Sequence, residues 1–116
     1  MFKAIILLSR RADMTAAGFR TWWLDEHAPL AAQLPGVRRI VFNAVEDTGG
    51  GGGETDPLAD GIDGISELWF DSREAFDAAY ATDLGARVAA DSMAHVRGRR
   101  RLFVTEHAIV GDVPGE

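Results

Sequence analysis

The chain alternates between short apolar runs of strand length and stretches in which apolar residues return every three or four positions. Met1–Ser9 (MFKAIILLS) is an almost unbroken apolar run rich in Ile and Leu, and it predicts a buried strand. Arg10–Met14 is a polar loop, and Thr15 then has the side chain of a helix N-cap. Over Ala16–His27, Phe19, Trp23 and His27 follow one another at spacings of four, with Trp22 widening the stripe, so this segment predicts an amphipathic helix. Pro29 is expected to end it, because a proline pushes its predecessor out of the helical region. Leu34-Pro35-Gly36 is a turn, and Val37–Val45 (VRRIVFNAV) reads as a β-branched and aromatic strand. Ile62–Phe70 predicts a third strand. Asp71 or Ser72 caps a second helix, with Glu74 placed for a capping box with Asp71 and with Phe76 and Tyr80 four apart on it. Leu84–Val96 is a weaker helical stretch, and Arg99–Val110 (RRRLFVTEHAIV) is expected as the last strand. Between the middle strands, Thr48–Asp60 holds five consecutive glycines, Gly49–Gly53, whose composition predicts a mobile linker more readily than a lid. One domain is expected over residues 1–110, followed by a flexible tail over 111–116.

The resulting order is β-α-β-β-α-β. The two halves echo each other: Thr15, Phe19 and Trp23 run T-x3-F-x3-W, and Ser72, Phe76 and Tyr80 run S-x3-F-x3-Y. Matching halves of this kind predict an α+β, ferredoxin-like sandwich with a four-stranded antiparallel sheet. Two helices cover only one face of such a sheet. Yet Val37, Val41 and Val45 share one face of their strand while Ile40, Phe42 and Ala44 share the other. In the last strand Leu102, Val104, Ala108 and Val110 oppose Phe103 and Ile109. Large apolar faces are uncommon on monomers, so two copies are expected to pair sheet to sheet as a homodimer.

Composition narrows the function classes. A formal charge of −6 argues against nucleic acid as the main partner. The basic cluster Arg97–Arg101 reads more readily as a solvated strand or an inter-subunit ion-pair site. There is no cysteine, which excludes disulfides, thiolate metal sites and cysteine nucleophiles. Nothing approaches the ~18 apolar residues of a membrane span. Phe2–Leu8 is too short and wrongly flanked for a secretory signal, so a cytoplasmic location is expected.

Several segments together resemble the EthD family of the dimeric α+β barrel superfamily. Phe19–Ala31 (FRTWWLDEHAPLA) fits the pattern F-x-x-Y/W-W-x-x-x-H-x-P-L-A. It is followed by Leu34-Pro35-Gly36-Val37-Arg38-Arg39, an aromatic residue and Asn43, then Glu67-Leu68-Trp69-Phe70-Asp71-Ser72 and a late Glu106. The resemblance spans about residues 2–110, and the five-glycine run departs from it. It implies a protomer paired through its sheets into a barrel. Founding members are associated with degradation of an alkyl ether as accessory proteins. Similar proteins include cofactor-independent isomerases of muconolactones, and dehydratases, cyclases or monooxygenases acting on polyketides and other aromatics.

Against that background His27 is the first candidate. Near a helix C-terminus the dipole favours its charged ring while burial opposes it, and a histidine poised near neutrality can remove and return a proton. Alternatively it satisfies the last helical carbonyls. Glu67 would orient His27 or hold a substrate hydroxyl, or else form an interface salt bridge. Asn43 would donate to a developing oxyanion, or be a polar residue on the dimer-facing side. Phe19, Trp23, Trp69 and His107 are the candidate substrate-binding residues, Trp69 by stacking on a planar ring or else as core. His107 and Glu106 are expected on opposite faces of the last strand. No metal is expected, because His27, His95 and His107 lack ligand spacing. No cofactor is expected either: no dinucleotide or phosphate-loop motif occurs, and no spacing supports His95 or His107 as a haem ligand. The expected function is cofactor-independent acid–base chemistry on a small cyclic, aromatic or polyketide-like compound. The alternatives are a non-catalytic carrier for a partner oxygenase and a cofactor-free monooxygenase.

Overall fold

A computed structural model of the chain describes residues 1–46 and 61–111, so the Gly49–Gly53 run and the tail beyond Gly111 lie outside the described residues. The elements are β1 (Phe2–Arg10), α1 (Ala16–Thr21), a π-helical segment (Trp22–His27), α2 (Ala28–Ala31), β2 (Arg39–Ala44), β3 (Gly64–Phe70), α3 (Arg73–Tyr80), α4 (Asp83–His95) and β4 (Val96–Val104). The strands form one antiparallel sheet in the order β2-β3-β1-β4, which leaves β2 and β4 at the edges. This is the α+β, ferredoxin-like sandwich expected from the pattern.

Helix starts follow side-chain capping. Thr15, Ser72 and Thr82 each accept a hydrogen bond from the backbone N–H three residues on, at 3.0 Å. Ser72 caps α3, and Asp71 instead pairs with Arg38, so the expected Asp71–Glu74 capping box does not form. Gly36 adopts φ 79° after Pro35, which lets the chain reverse between α2 and β2.

Two boundaries differ from expectation. The first helix runs through Pro29 to Ala31. In the π-helical segment the Ala28 N–H reaches back five residues to the Trp23 carbonyl, and Pro29 falls in the first turn of α2. There its missing N–H and its ring disturb no regular i→i−4 bond. The last strand spans Val96–Val104 rather than Arg99–Val110: it starts directly after His95 of α4 with no residue between, and it ends before Glu106. His107, Ala108, Ile109 and Val110 are exposed and outside the sheet.

The core lies between helices and sheet and is built on Ala4, Ile6, Leu8, Leu68 and Phe70 from the strands and Phe19, Trp22, Trp23, Phe76 and Val88 from the helices. Side chains alternate across a strand, so Lys3, Ile5, Leu7, Val41, Asn43, Ile65, Glu67, Trp69, Leu102 and Val104 share the opposite face, which is helix-free among the described residues. No helix of the described residues is long and apolar enough to cross a membrane.

Candidate functional site

Two polar centres stand on opposite faces of the sheet. The first begins in the π-helical segment. On an α-helix, residues 22 and 27 would lie about 140° apart. The i→i+5 bonding of a π-helix winds the chain more slowly and brings Trp22 and His27 towards one face, with ring centroids 5.0 Å apart. Both then reach Asp91 of α4. Nδ1 of His27 lies 2.7 Å from Oδ2 of Asp91, and Nε1 of Trp22 donates to both Asp91 oxygens at 3.2 and 3.3 Å. Ser92 lies on the other side of the ring, with Oγ 3.3 Å from Nε2. His27 and Ser92 are 4% and 5% exposed.

Burial lowers the His27 pKa below its ordinary 6.5, and the hydrogen bond and charge of Asp91 offset this only in part. The ring is therefore neutral. A carboxylate can only accept, so Nδ1 carries the proton and donates it to Asp91. Nε2 is then the basic atom. Its bond from the Ser92 hydroxyl is long for an O–H donor, which makes it the exchangeable side of the ring.

Beside this centre, Leu24, Ala28, Ala32, Ile40 and Phe42 line a cleft of about 250 Å³ between the first helix and edge strand β2. Every lining residue is apolar. Phe42 joins the cleft to the polar centre: its ring stacks on Trp23 at 4.4 Å and lies nearly parallel to His27 at 6.1 Å.

The second centre lies on the helix-free face. Lys3, only 7% exposed, holds Glu67 at 2.9 Å and Glu106 at 2.8 Å. Asn43 donates to Glu67 at 3.0 Å, and Trp69 Nε1 donates to Glu106 at 3.2 Å. The Trp69 ring also carries the cations of Lys3 and Arg39 at 4.5 and 4.9 Å. Burial pulls the Lys3 ammonium down, but its two carboxylate partners outweigh this and raise its pKa. Burial pushes Glu67 up, but the hydrogen bonds from Lys3 and Asn43 bring it below its ordinary value.

The sequence-derived candidates are thus divided. His27 and Trp23 lie on the helix side. Glu67, Asn43 and Trp69 lie across the sheet, so Glu67 does not orient His27: Asp91 does. Phe19 is sealed in the core against Trp22 and Trp23 and does not line the cleft. His107 is exposed beyond the end of β4 and touches neither centre, a correction to its expected place on the last strand. Asp91 and Ser92 were missed. Ser92 continues the buried stripe of Gly85 and Val88 at a spacing of four, and that stripe was the signal available in the sequence.

The EthD domain model matches residues 11–96. No curated protein matches the chain. Among solved structures, the chain is similar to an ethyl tert-butyl ether D (EthD) family protein from Bacillus halodurans, at 21% identity and TM-score 0.72, covering 92% of this chain and 100% of that one. It is also similar to a dimeric ferredoxin-like protein of unknown function from Thermobifida fusca, at 14% identity and TM-score 0.68, covering 90% of each. SnoaB, a cofactor-independent oxygenase from Streptomyces nogalater, matches at 14% identity and TM-score 0.67, covering 96% of this chain and 97% of that one. These likenesses agree with the fold described above, and by its match to the family model this chain belongs to the EthD domain family.

Proposed function

We propose that the chain is a homodimeric, cofactor-independent acid–base catalyst for a small hydrophobic or aromatic carbonyl compound. The observation that carries this reading is the buried His27–Asp91 pair, 2.7 Å apart, with an apolar cleft one side chain away. Nε2 of His27 takes a proton from a carbon next to the carbonyl, the Ser92 hydroxyl giving way as the substrate approaches. Asp91 stabilises the imidazolium that results, and Trp22 fixes the carboxylate. The proton returns to the same or a neighbouring carbon, giving exchange or isomerisation. Glu67, Asn43 and Trp69 belong in this reading to the polar centre of the sheet-to-sheet contact. Similarity to a cofactor-independent oxygenase and to a dimeric protein supports the cofactor-independent and homodimeric parts of the proposal.

The test is exchange of the α-protons of 1-tetralone in heavy water, followed by NMR. The wild-type chain should accelerate exchange, His27→Gln should abolish that acceleration, and Asp91→Asn should reduce it at least tenfold. Wild-type exchange by His27→Gln would remove His27 from the chemistry. One observation favours a carrier instead: all five cleft residues are apolar. Tight binding of 1-tetralone with no accelerated exchange would establish carriage.

A further inference from the structure

The proposed chemistry uses one imidazole, yet the carboxylate that serves it is shared by two. Oδ2 of Asp91 faces Nδ1 of His27 at 2.7 Å, and Oδ1 faces Nδ1 of His95 at 3.6 Å. Trp22 touches all three groups. Its N–H donates to Asp91, and its ring lies 5.0 Å from that of His27 and 4.3 Å from that of His95, on which it stacks at 14°. His95 follows Asp91 by one helical turn, and its Nδ1 lies 2.8 Å from the Asp91 backbone carbonyl. A carbonyl only accepts, so Nδ1 of His95 carries a proton and Nε2 is the nitrogen that titrates.

The two rings share a carboxylate but not an environment. The His27 side chain is 6% exposed and that of His95 is 30% exposed. His95 is also the last residue of the 13-residue α4, so its ring stands at the negative end of the helix dipole. Both differences make a positive charge easier to hold on His95 than on His27. The face of Trp22 favours a cation there as well. Two further cations face the pair from other elements. Arg11, in the loop after β1, donates to the Ala94 carbonyl at 2.8 Å, and Asp13 holds the same guanidinium at 2.9 and 3.0 Å. Arg99 of β4 acts on the His27 side, where it opposes a charge on that ring. Once His95 is charged, a second positive charge on His27 would have to share Asp91 with it, and the two repel.

We propose that His95 is a positioning residue that takes up the proton of this two-histidine centre, and so keeps Nε2 of His27 free to act as a base as the medium becomes acid. Its catalytic consequence rests on the acid–base reading above, whereas the coupling of the two rings needs no substrate. The buried ring handles the substrate proton. The half-exposed ring absorbs the proton of the solvent.

The test is an NMR titration of the whole chain between pH 8 and pH 5, following the Cε1–H signals of the imidazoles. His27 is identified by its loss in His27→Gln, and His95 by its loss in His95→Gln. His95→Gln keeps a donor for the Asp91 carbonyl, and His95→Phe keeps a ring against Trp22; neither side chain can be charged. In the wild type His95 should protonate before His27 as pH falls. In both variants the His27 midpoint should rise by about 0.5 pH unit. The acid limb of 1-tetralone exchange should move to higher pH by the same amount. A His27 that protonates first, or a His27 midpoint unmoved in both variants, overturns the proposal. A shift in one variant alone would trace the effect to a lost contact rather than a lost charge, and overturns it too. If the midpoint moves as expected but the wild-type chain accelerates no exchange, the division of protons between the rings is supported and the acid–base reading beneath it falls.

Discussion

His27 is held differently at its two nitrogens, and its titration follows from that. Burial disfavours the charged ring, Asp91 pulls the other way through its hydrogen bond and charge, and His95 and Arg99 add to the effect of burial. The folded chain therefore binds this proton more weakly than the unfolded chain does. The stability contributed by the neutral ring is complete above about pH 6.5 and is lost as pH falls through the lower folded value. The carboxylates of Glu67 and Glu106 are shifted down from 4.5, so their loss lies at more acid pH. The melting temperature of the wild type should fall from pH 7 to pH 5 by more than that of His27→Gln. Superimposable profiles over that range would show that His27 does not stay neutral in the fold. At this scale the sequence was informative about His27 and silent about its partner, because Asp91 is 64 residues away and becomes a neighbour only once α4 has docked.

At the scale of elements, the segments were legible where a single periodicity ruled. β1 and β3 showed apolar runs of strand length, and α1 and α3 showed apolar spacing together with an N-terminal hydroxyl. The π-helical segment was not legible: five-residue register looks like four-residue register in a stretch as rich in aromatics as Phe19–His27, and nothing local marks the change. Its consequence was the largest error at the site, since the i+4 reading aligned Trp23 with His27 while the fold aligns Trp22. The end of β4 was missed for a related reason. Arg99–Val110 remains β-branched and apolar past Val104, but only tertiary pairing decides where a ladder stops, and Glu106 is drawn to Lys3. Close packing of helix on sheet gives a direct check. A methyl at Gly64 meets the Trp23 ring at 2.7 Å, whereas one at Gly98 of β4 meets nothing within 4 Å. Gly64→Ala should lose about 1–3 kcal/mol of stability in denaturant titration, by overpacking. Gly98→Ala should be neutral or slightly stabilising.

Among the described residues the helices cover the sheet on one side. The helix-free face sets Ile5, Leu7, Val41, Ile65 and Leu102 around the Lys3–Glu67–Glu106 centre, and Leu102 is 43% exposed. Apolar residues ringing this cluster suit a second copy of the same face, since Lys3 and the nearby Arg39 together match the two carboxylates within the protomer. The prediction is a dimer by light scattering at low micromolar concentration, converted by Leu102→Asp into a folded monomer. A wild-type monomer would exclude the pairing. The apolar outer face was legible in the two-sided apolar character of the strands; the ionic cluster was not, because it is assembled from β1, β3 and a segment beyond β4.

The direct passage of α4 into β4 at Val96 ties these levels together. One arm of that seamless joint bears Asp91, which sets the angle of the imidazole. The other bears Leu102 and Val104, which look out from the opposite face of the sheet. With no residue between the arms, a single corner of backbone sets where both the carboxylate and the rim strand stand.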